Sequence, residues 1–255
     1  MHTSKSTAQF YNHFASIHDK MLPIEQRLSN TSFFTHIFKK TAKASKILDC
    51  ACGTGIHVIL LSKLGYRVDG MDLSPGMVQQ AKKNLQTFQV KATIKTGDFR
   101  KIGALWNKKY EVVACLGNSL AYMQSQKDVK KALKEMFRVL EPNGMFMMSQ
   151  RNYDKLLQDK KKYTVTQKDE YTFLYIYDYL KENVIFNIIV GRTKNHHTTF
   201  QTFKTIYRPI LQKDLVNVMK EVGYKNIRFY NQDNRKGLFK FDTKKDDFFT
   251  VTGTK

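Results

Sequence analysis

The chain has few cysteines and few acids, and it has no long apolar run. Cys50 and Cys52 flank one residue and Cys115 stands far downstream, spacings that do not match a zinc site. All three read as buried free thiols, in keeping with a reducing cytoplasm. No run of about 18 apolar residues occurs, which excludes a membrane-spanning helix. The opening stretch MHTSKSTAQFYNHF lacks the apolar centre of a signal peptide. No internal repeat or low-complexity linker divides the 255 residues, so one domain with an insertion is expected. Acids number 22 against 43 Lys and Arg, a net charge of +21. Such an excess attracts nucleic acid or an anionic membrane. Yet no block of five or six like charges appears. Lysines are scattered at 43, 63, 82–83, 91, 108–109, 130–131, 160–162 and 244–245. That scatter favours a solvated lysine-rich surface over a nucleic-acid face, and no membrane partner is expected.

Two phosphate-binding patterns are missing as well. The stretch 46–55, KILDCACGTG, has an apolar start, the acid Asp49, and the glycines Gly53 and Gly55 before the apolar run IHVILL. Strand, glycine turn and helix make the first unit of a doubly wound α/β fold. The third glycine of a dinucleotide fingerprint is replaced by Val58, and no Gly-Lys-Ser/Thr closes a P-loop. Asp49 beside the turn would repel a pyrophosphate and suits a ligand carrying an ammonium or sulfonium cation. The competing reading is a tight turn and nothing more.

Later strand ends add chemistry. Asp72 closes a second strand 17 positions past Gly55, close to the spacing at which an acid accepts from ribose hydroxyls. A turn acid at a helix start is the alternative. Ser74-Pro75 opens the next helix, and Leu73 and Met77 are placed to flank an adenine ring. A third strand, 91–96, runs into Gly97-Asp98-Phe99, where the carboxylate suits the exocyclic amine and the ring suits stacking; a turn acid with a core Phe is the plainer alternative. Residues 110–115 form strand 4, and its exit loop 116–122 faces the crevice where strand order reverses. A helix over 128–140 leads to strand 5 at 145–149. Its exit presents Arg151, whose planar fork matches a carboxylate; a surface arginine paired to an acid is equally open.

The flanks are simpler. Residues 6–20 and 30–43 read as helices with aromatic stripes. Residues 162–208 read as three or four antiparallel strands inserted after strand 5, placed to cover the substrate side. A helix over 211–222 ends at Gly223, and strands follow at 225–230, 237–241 and 247–253.

The set KILDCACGTG, Asp72, GDF, CLGNSLAYM and QRNYD resembles the glycine/sarcosine N-methyltransferase branch of the class I S-adenosylmethionine (SAM) methyltransferases. The resemblance covers roughly residues 45–155. It implies an α/β, Rossmann-like, doubly wound sheet of seven strands, the last antiparallel, with the inserted antiparallel strands as a subdomain. Expected divisions are a helical cap at 1–44, the SAM-binding core at 45–159, the substrate cover at 160–209 and a completing segment at 210–255. By resemblance Ala51 and Gly53 line the methionine part of SAM and Leu116 lies along the cofactor. Asn118, Arg151 and Tyr207 hold the substrate amino acid. Tyr11 is carried over from a partly matching Y-D-x-x-A-x-x-Y-D segment, here Tyr11-Asn12 through Ala15 to His18-Asp19. The implied reaction is methyl transfer to the amine of a small acceptor such as glycine or sarcosine, with no metal. Two other classes stay open: a methyltransferase acting on RNA or another polyanion, and a SAM-binding regulator without turnover. Against the polyanion enzyme, no N-P-P-Y-type tetrapeptide or appended RNA-binding module is visible.

Overall fold

The computed structural model describes residues 4–28, 31–39, 45–231 and 239–255. Three helices precede the sheet: α1 (Ser4–Met21), α2 (Ile24–Leu28) and α3 (Ser32–Ile37). The expectation of one helix over 30–43 is corrected. Helical geometry is lost at Phe38, and residues 29–30 and 40–44 lie outside the described residues. The aromatic stripe is satisfied by docking: Phe38 meets Tyr66 edge-on at 5.4 Å and Phe34 leans on His57 at 5.7 Å.

The core then alternates strand and helix. In order come β1 (Lys46–Asp49), α4 (Ile56–Lys63), β2 (Arg67–Asp72), α5 (Pro75–Thr87), β3 (Thr93–Thr96), β4 (Tyr110–Cys115), α6 (Gln126–Val139) and β5 (Leu140–Arg151). Helix α7 (Tyr153–Asp159) leads to four strands, β6 (Tyr163–Lys168), β7 (Tyr171–Tyr179), β8 (Val184–Lys194) and β9 (His197–Tyr207). Helix α8 (Gln212–Val222), β10 (Lys225–Tyr230) and β11 (Phe248–Thr254) return to the core.

The first sheet has seven strands in the order β10-β11-β5-β4-β1-β2-β3. β11 is antiparallel to both neighbours, and the remaining pairs are parallel. β1 lies between β4 and β2, so strand order reverses beside the glycine turn. That is where ligands bind in open α/β sheets. Burial follows: Ile47, Leu48, Val112 and Val113 are at most 1 % exposed, as strands covered on both faces require.

Two boundaries differ from expectation. β5 starts at Leu140, because Glu141-Pro142-Asn143-Gly144 stays within the strand. Asn143 takes positive φ, and a register shift in the β4–β5 pairing absorbs the irregularity. The strand expected at 237–241 is also corrected. Residues 237–238 lie outside the described residues, and the rest supplies one bridge, Tyr230 to Lys240. Phe239 is held instead by Phe33, at 5.4 Å.

The second sheet is antiparallel, in the order β6-β7-β8-β9. Asn195 and His196 both have positive φ, the two-residue turn that joins strands without splaying them. Alternate residues Val184, Phe186, Ile188 and Val190 point inward. α1 is wedged between the sheets: Phe14 packs edge-on against Phe203 of β9 at 5.0 Å. Among the described residues no helix is long and apolar enough to cross a membrane.

Candidate active site

The glycine turn positions two acids. Gly53 and Gly55 have φ of +53° and +87°, values that only glycine takes without strain. A Cβ on Gly55 would press on Ala81 of α5 at 3.3 Å, whereas above Gly53 nothing lies within 4 Å. The Gly53 N–H donates to Asp72 Oδ2 at 2.9 Å and the Ser74 N–H to Asp72 Oδ1 at 2.9 Å. Burial pushes the Asp72 carboxyl up, and these N–H groups oppose the shift. Asp49 is wholly buried. Its Oδ1 accepts from the Ala51 N–H at 3.2 Å, while Oδ2 has no partner. Burial pushes its pKa to about 7, with the nearby Asp72 charge adding to the rise.

Beside Asp49 stands a feature the sequence reading passed over. His57 Nδ1 is 4.0 Å from Asp49 Oδ2, and His57 Nε2 is 3.5 Å from the Arg27 guanidinium. Burial, then Arg27, pushes the imidazole down to about 3, so it is neutral. Arg27 has no carboxylate partner among the described residues.

The adenine-side residues are divided in their contacts. Asp98 caps a short 3₁₀ turn, Phe99–Ala104, by accepting from the Arg100 N–H at 2.8 Å. Its Oδ2 also meets the Arg100 guanidinium at 2.6 Å, and Arg100 reaches Asp128 at 3.0 Å. Burial raises this carboxyl, but the Arg100 contacts win and hold it below the usual range. Phe99 and Leu73 are half-buried. Met77 is 1 % exposed, in one cluster with Phe10 and Phe14 of α1.

α1 is tied over this edge by side chains of the partly matching segment, Asp19 where the pattern is kept and Asn12 and His18 where it departs. Asn12 Oδ1 accepts from Ser74 Oγ at 2.6 Å and from the Gly76 N–H at 2.9 Å. Asp19 Oδ1 accepts from Thr54 Oγ1 at 2.5 Å and its Oδ2 from Asn84 at 2.8 Å. His18 Nδ1 lies 3.2 Å from the same Thr54 hydroxyl. Asp19→Ala removes one hydrogen bond each from Thr54 and Asn84, which keep His18 and the Thr54 carbonyl as partners, so a loss of about 1–2 kcal/mol is expected. Amide exchange should accelerate across α1 while β1 and β4 keep their protection; uniform acceleration would mean that these bonds do not hold α1.

The other side of the crevice is built by the loop after β4 and by the end of β5. Gly117 and Asn118 are consecutive left-handed residues, φ +79° and +71°. The Gly117 N–H donates to Ser149 Oγ at 3.0 Å. Asn118 Oδ1 accepts from the Arg151 backbone N–H at 3.1 Å, and its Nδ2 donates to the Tyr153 hydroxyl at 3.0 Å. A row of hydroxyls follows: Tyr11 lies 2.8 Å from Tyr122, and Tyr122 donates to Tyr207 at 3.4 Å. Tyr207 is also within hydrogen-bonding reach of Asn118. Burial pushes Tyr11, Tyr122, Tyr153 and Tyr207 upward, so all four stay protonated at neutral pH.

The tetrapeptide RNYD divides its labour. Asn152 caps α7 and donates to Thr243 O and Asp246 O at 2.7 and 2.9 Å. Tyr153 meets Asn118, and Asp154 Oδ2 accepts from the Gln212 N–H at 3.0 Å. Arg151 differs. Its guanidinium carbon lies 5.3, 5.5 and 4.8 Å from the ring centres of Tyr177, Phe186 and Phe248. Among the described residues no carboxylate pairs with it. The alternative of an acid-paired surface arginine is therefore not what this arrangement provides. The structure thus brings Asn118, Arg151 and Tyr207 together on one side, and Asp49, Ala51, Gly53 and Asp72 on the other. Leu116, 2 % exposed, lies at the exit of β4 between them. The contributions of Tyr122, Tyr153 and Tyr177 were not visible in the sequence.

Comparison with known proteins agrees with this geometry. Residues 47–144 match a model of the methyltransferase domain. A glycine/sarcosine N-methyltransferase of Aphanothece halophytica is 29% identical over 228 residues, 87% of this chain and 82% of that protein. One from Halorhodospira halochloris is 32% identical over 163 residues, 61% of this chain and 58% of that protein. The methyltransferase domain and these relatives support a SAM-dependent methyltransferase. The methyltransferase fold extends along the chain: a crystal structure of a SAM-dependent methyltransferase from Clostridium acetobutylicum ATCC 824 superposes with TM-score 0.77. It covers 96% of this chain and 98% of its own at 20% identity, a likeness of fold.

The methyltransferase's residues fit its cofactor. SAM carries two cationic centres, a ribose diol and an adenine. The unpartnered buried oxygen of Asp49 lies beside the turn, and open space stands over Gly53. The Asp72 oxygens each accept one N–H, which leaves lone pairs for hydroxyl groups.

Proposed function

We propose that this methyltransferase methylates the amine of a small amino acid, with glycine and sarcosine as the fitting acceptors. The observation that carries this reading is Arg151. Its guanidinium is set in a ring of aromatic faces and lacks a carboxylate partner among the described residues, beside Asn118 and the tyrosine row. An arginine so placed is matched by a carboxylate ligand. The names of the two relatives given above point the same way.

In this reading Asp72 holds the ribose, Asp98 and Phe99 the adenine, and Leu73 and Met77 its flanks. Ala51, Gly53, Gly55 and Leu116 line the methionine part, with Tyr11 above it on α1. Asp49 faces the positive end, and Arg27 supplies the countercharge for the cofactor's carboxylate. Bound SAM supplies a methyl group already activated on a sulfonium, so the protein need not provide a nucleophile. Arg151 clamps the acceptor's carboxylate. Asn118 and the Tyr207 and Tyr122 hydroxyls accept from the amine's N–H groups and aim its lone pair. Such positioning is worth about 7–11 kcal/mol in favourable cases. None of these tyrosines serves as a base, because burial keeps each of them protonated. The amine therefore sheds its proton to water before it is enclosed. The inserted sheet, anchored where the Arg208 N–H donates to Ala121 O at 2.9 Å, covers this side.

The test is methyl-labelled SAM offered with a panel of amino acids, simple amines, small acids and bulk RNA. Label should pass to glycine or sarcosine and not to amines lacking a carboxylate. Transfer to RNA alone, or to none of these, would defeat the assignment.

A further inference from the structure

The lysines scattered in sequence are gathered by the topology. On the edge of the sheet opposite the crevice, where β1, β2 and β3 begin, an open groove of about 1060 Å³ runs between the strand starts and the ends of α4 and α5. Lys46, Lys63, Arg67, Lys82, Lys91 and Lys108 line it, all exposed. Six of its 17 lining residues are thus Lys or Arg, about twice the share of 43 in 255 for the whole chain. Its one carboxylate, Asp69, is already engaged: Lys108 Nζ lies at 2.6 Å and the Tyr110 hydroxyl donates at 3.1 Å. Among the described residues the ammonium groups of Lys46, Lys63, Lys82 and Lys91 have no carboxylate partner, although the Lys46 backbone N–H donates to Glu111 Oε2 at 2.8 Å. The C-terminal end of α4 accounts for a cation at Lys63. It does not account for Lys46 and Arg67 at strand starts, or for Lys91 before β3.

Like charges gathered without counter-charges repel and destabilise the folded state, and a polyanion in the groove removes that repulsion. The shape selects among polyanions. A membrane surface is broad and is met by a flat or convex face with apolar anchors. This surface is an open recess, with half-buried Phe88 and the amides of Gln86 and Gln89 among its walls. We propose that the groove is a docking surface for a phosphodiester chain, RNA or DNA, separate from the methyl-transfer crevice. Its ligand is held by backbone charge, without base-specific readout. The proposal does not depend on which acceptor the crevice takes.

The experiment is fluorescence anisotropy with a short labelled single-stranded RNA of mixed sequence, across a salt series. For the unaltered protein the plot of log K against log salt should have a slope of about −3, the four lysines without a carboxylate on their ammonium groups engaging phosphates of a single strand. A Lys46→Glu/Lys63→Glu/Lys91→Glu variant should bind at least about 10-fold more weakly, with a slope of about −1. A charge-matched Lys127→Glu/Lys134→Glu/Lys213→Glu variant, altered at exposed positions on α6 and α8, should keep the slope and most of the affinity. SAM binding by calorimetry should be the same in all three proteins. Should the groove variant lose its cooperative melt, the corresponding triple glutamine variant carries the same comparison. Equal losses in the two triple variants, no RNA binding by the unaltered protein, or binding to phosphatidylserine vesicles in place of RNA each overturn the proposal.

Discussion

Arg151→Ala is expected to raise KM for an amino acid acceptor by about 100-fold, while the Kd for SAM stays within about 2-fold. The size follows from two parallel charge-assisted hydrogen bonds, about 3 kcal/mol together, at 1.4 kcal/mol per tenfold. Cofactor binding is spared because Arg151 lies at the end of β5, held by the rings of Tyr177, Phe186 and Phe248 and remote from the glycine turn. Arg151→Lys keeps the charge but not the fork, and a loss of about 10-fold is expected. A sharper readout is selectivity. The unaltered enzyme should prefer glycine to methylamine, and Arg151→Ala should erase that preference by losing only the glycine rate. If the variant weakens both acceptors equally, Arg151 supports the aromatic ring structurally and clamps nothing.

The legibility of this chain follows the range of the interactions involved. Strand β4 was readable to the residue because YEVVAC is a short apolar run with turn residues on both sides. The start of α5 was readable because Ser74 caps it locally, accepting from the Met77 N–H at 3.1 Å. The reversal of strand order followed from motif order, since each acid sits at a strand end. Where long-range packing decided, the reading failed. Pro142 and Gly144 look like a stop, yet Leu140 still pairs with Tyr110 of β4 ahead of them, and the ladder resumes at Met145 on both β4 and β11. Phe33 and Phe34 do share one helix that starts after Thr31, yet it ends at Phe38, whose ring is buried against Tyr66. At the site, Arg151 was identifiable from its place after strand 5. Its companions Tyr122 and Tyr177 come from a 3₁₀ turn and an inserted strand, and no local spacing links them. Asn12 was visible only as a departure from a Y-D pattern. The structure gives it a use, because an amide oxygen accepts from Ser74 and Gly76 as a carboxylate would.

Asp49 should make stability and cofactor affinity respond to pH in opposite directions. The carboxyl is buried and its pKa stands at about 7, far above the ordinary value near 4. His57 does not neutralise it, being itself uncharged and 4.0 Å away. In the free protein, folding therefore favours the protonated form. The stabilisation is present in full below about pH 4 and is lost as pH rises through about 7, by at most about 4 kcal/mol. Burial raises Asp72 as well, so it contributes in the same direction, and Asp49→Asn is the variant that isolates the Asp49 share. Binding reverses the sign. A cation beside Asp49 favours the carboxylate, so below pH 7 each bound molecule of SAM must displace a proton. Affinity should fall by up to about 10-fold per pH unit well below the pKa, roughly 16-fold between pH 7 and pH 5.5. Calorimetry in two buffers of different ionisation enthalpy should register the released proton. Asp49→Asn should melt at a higher temperature than the unaltered protein at pH 8, bind SAM more weakly there, and lose most of the pH dependence. Unchanged affinity together with an unchanged pH profile in that variant would mean that the buried acid serves the turn alone. The positive end of the cofactor would then have to be met by Asp72 or by backbone carbonyls.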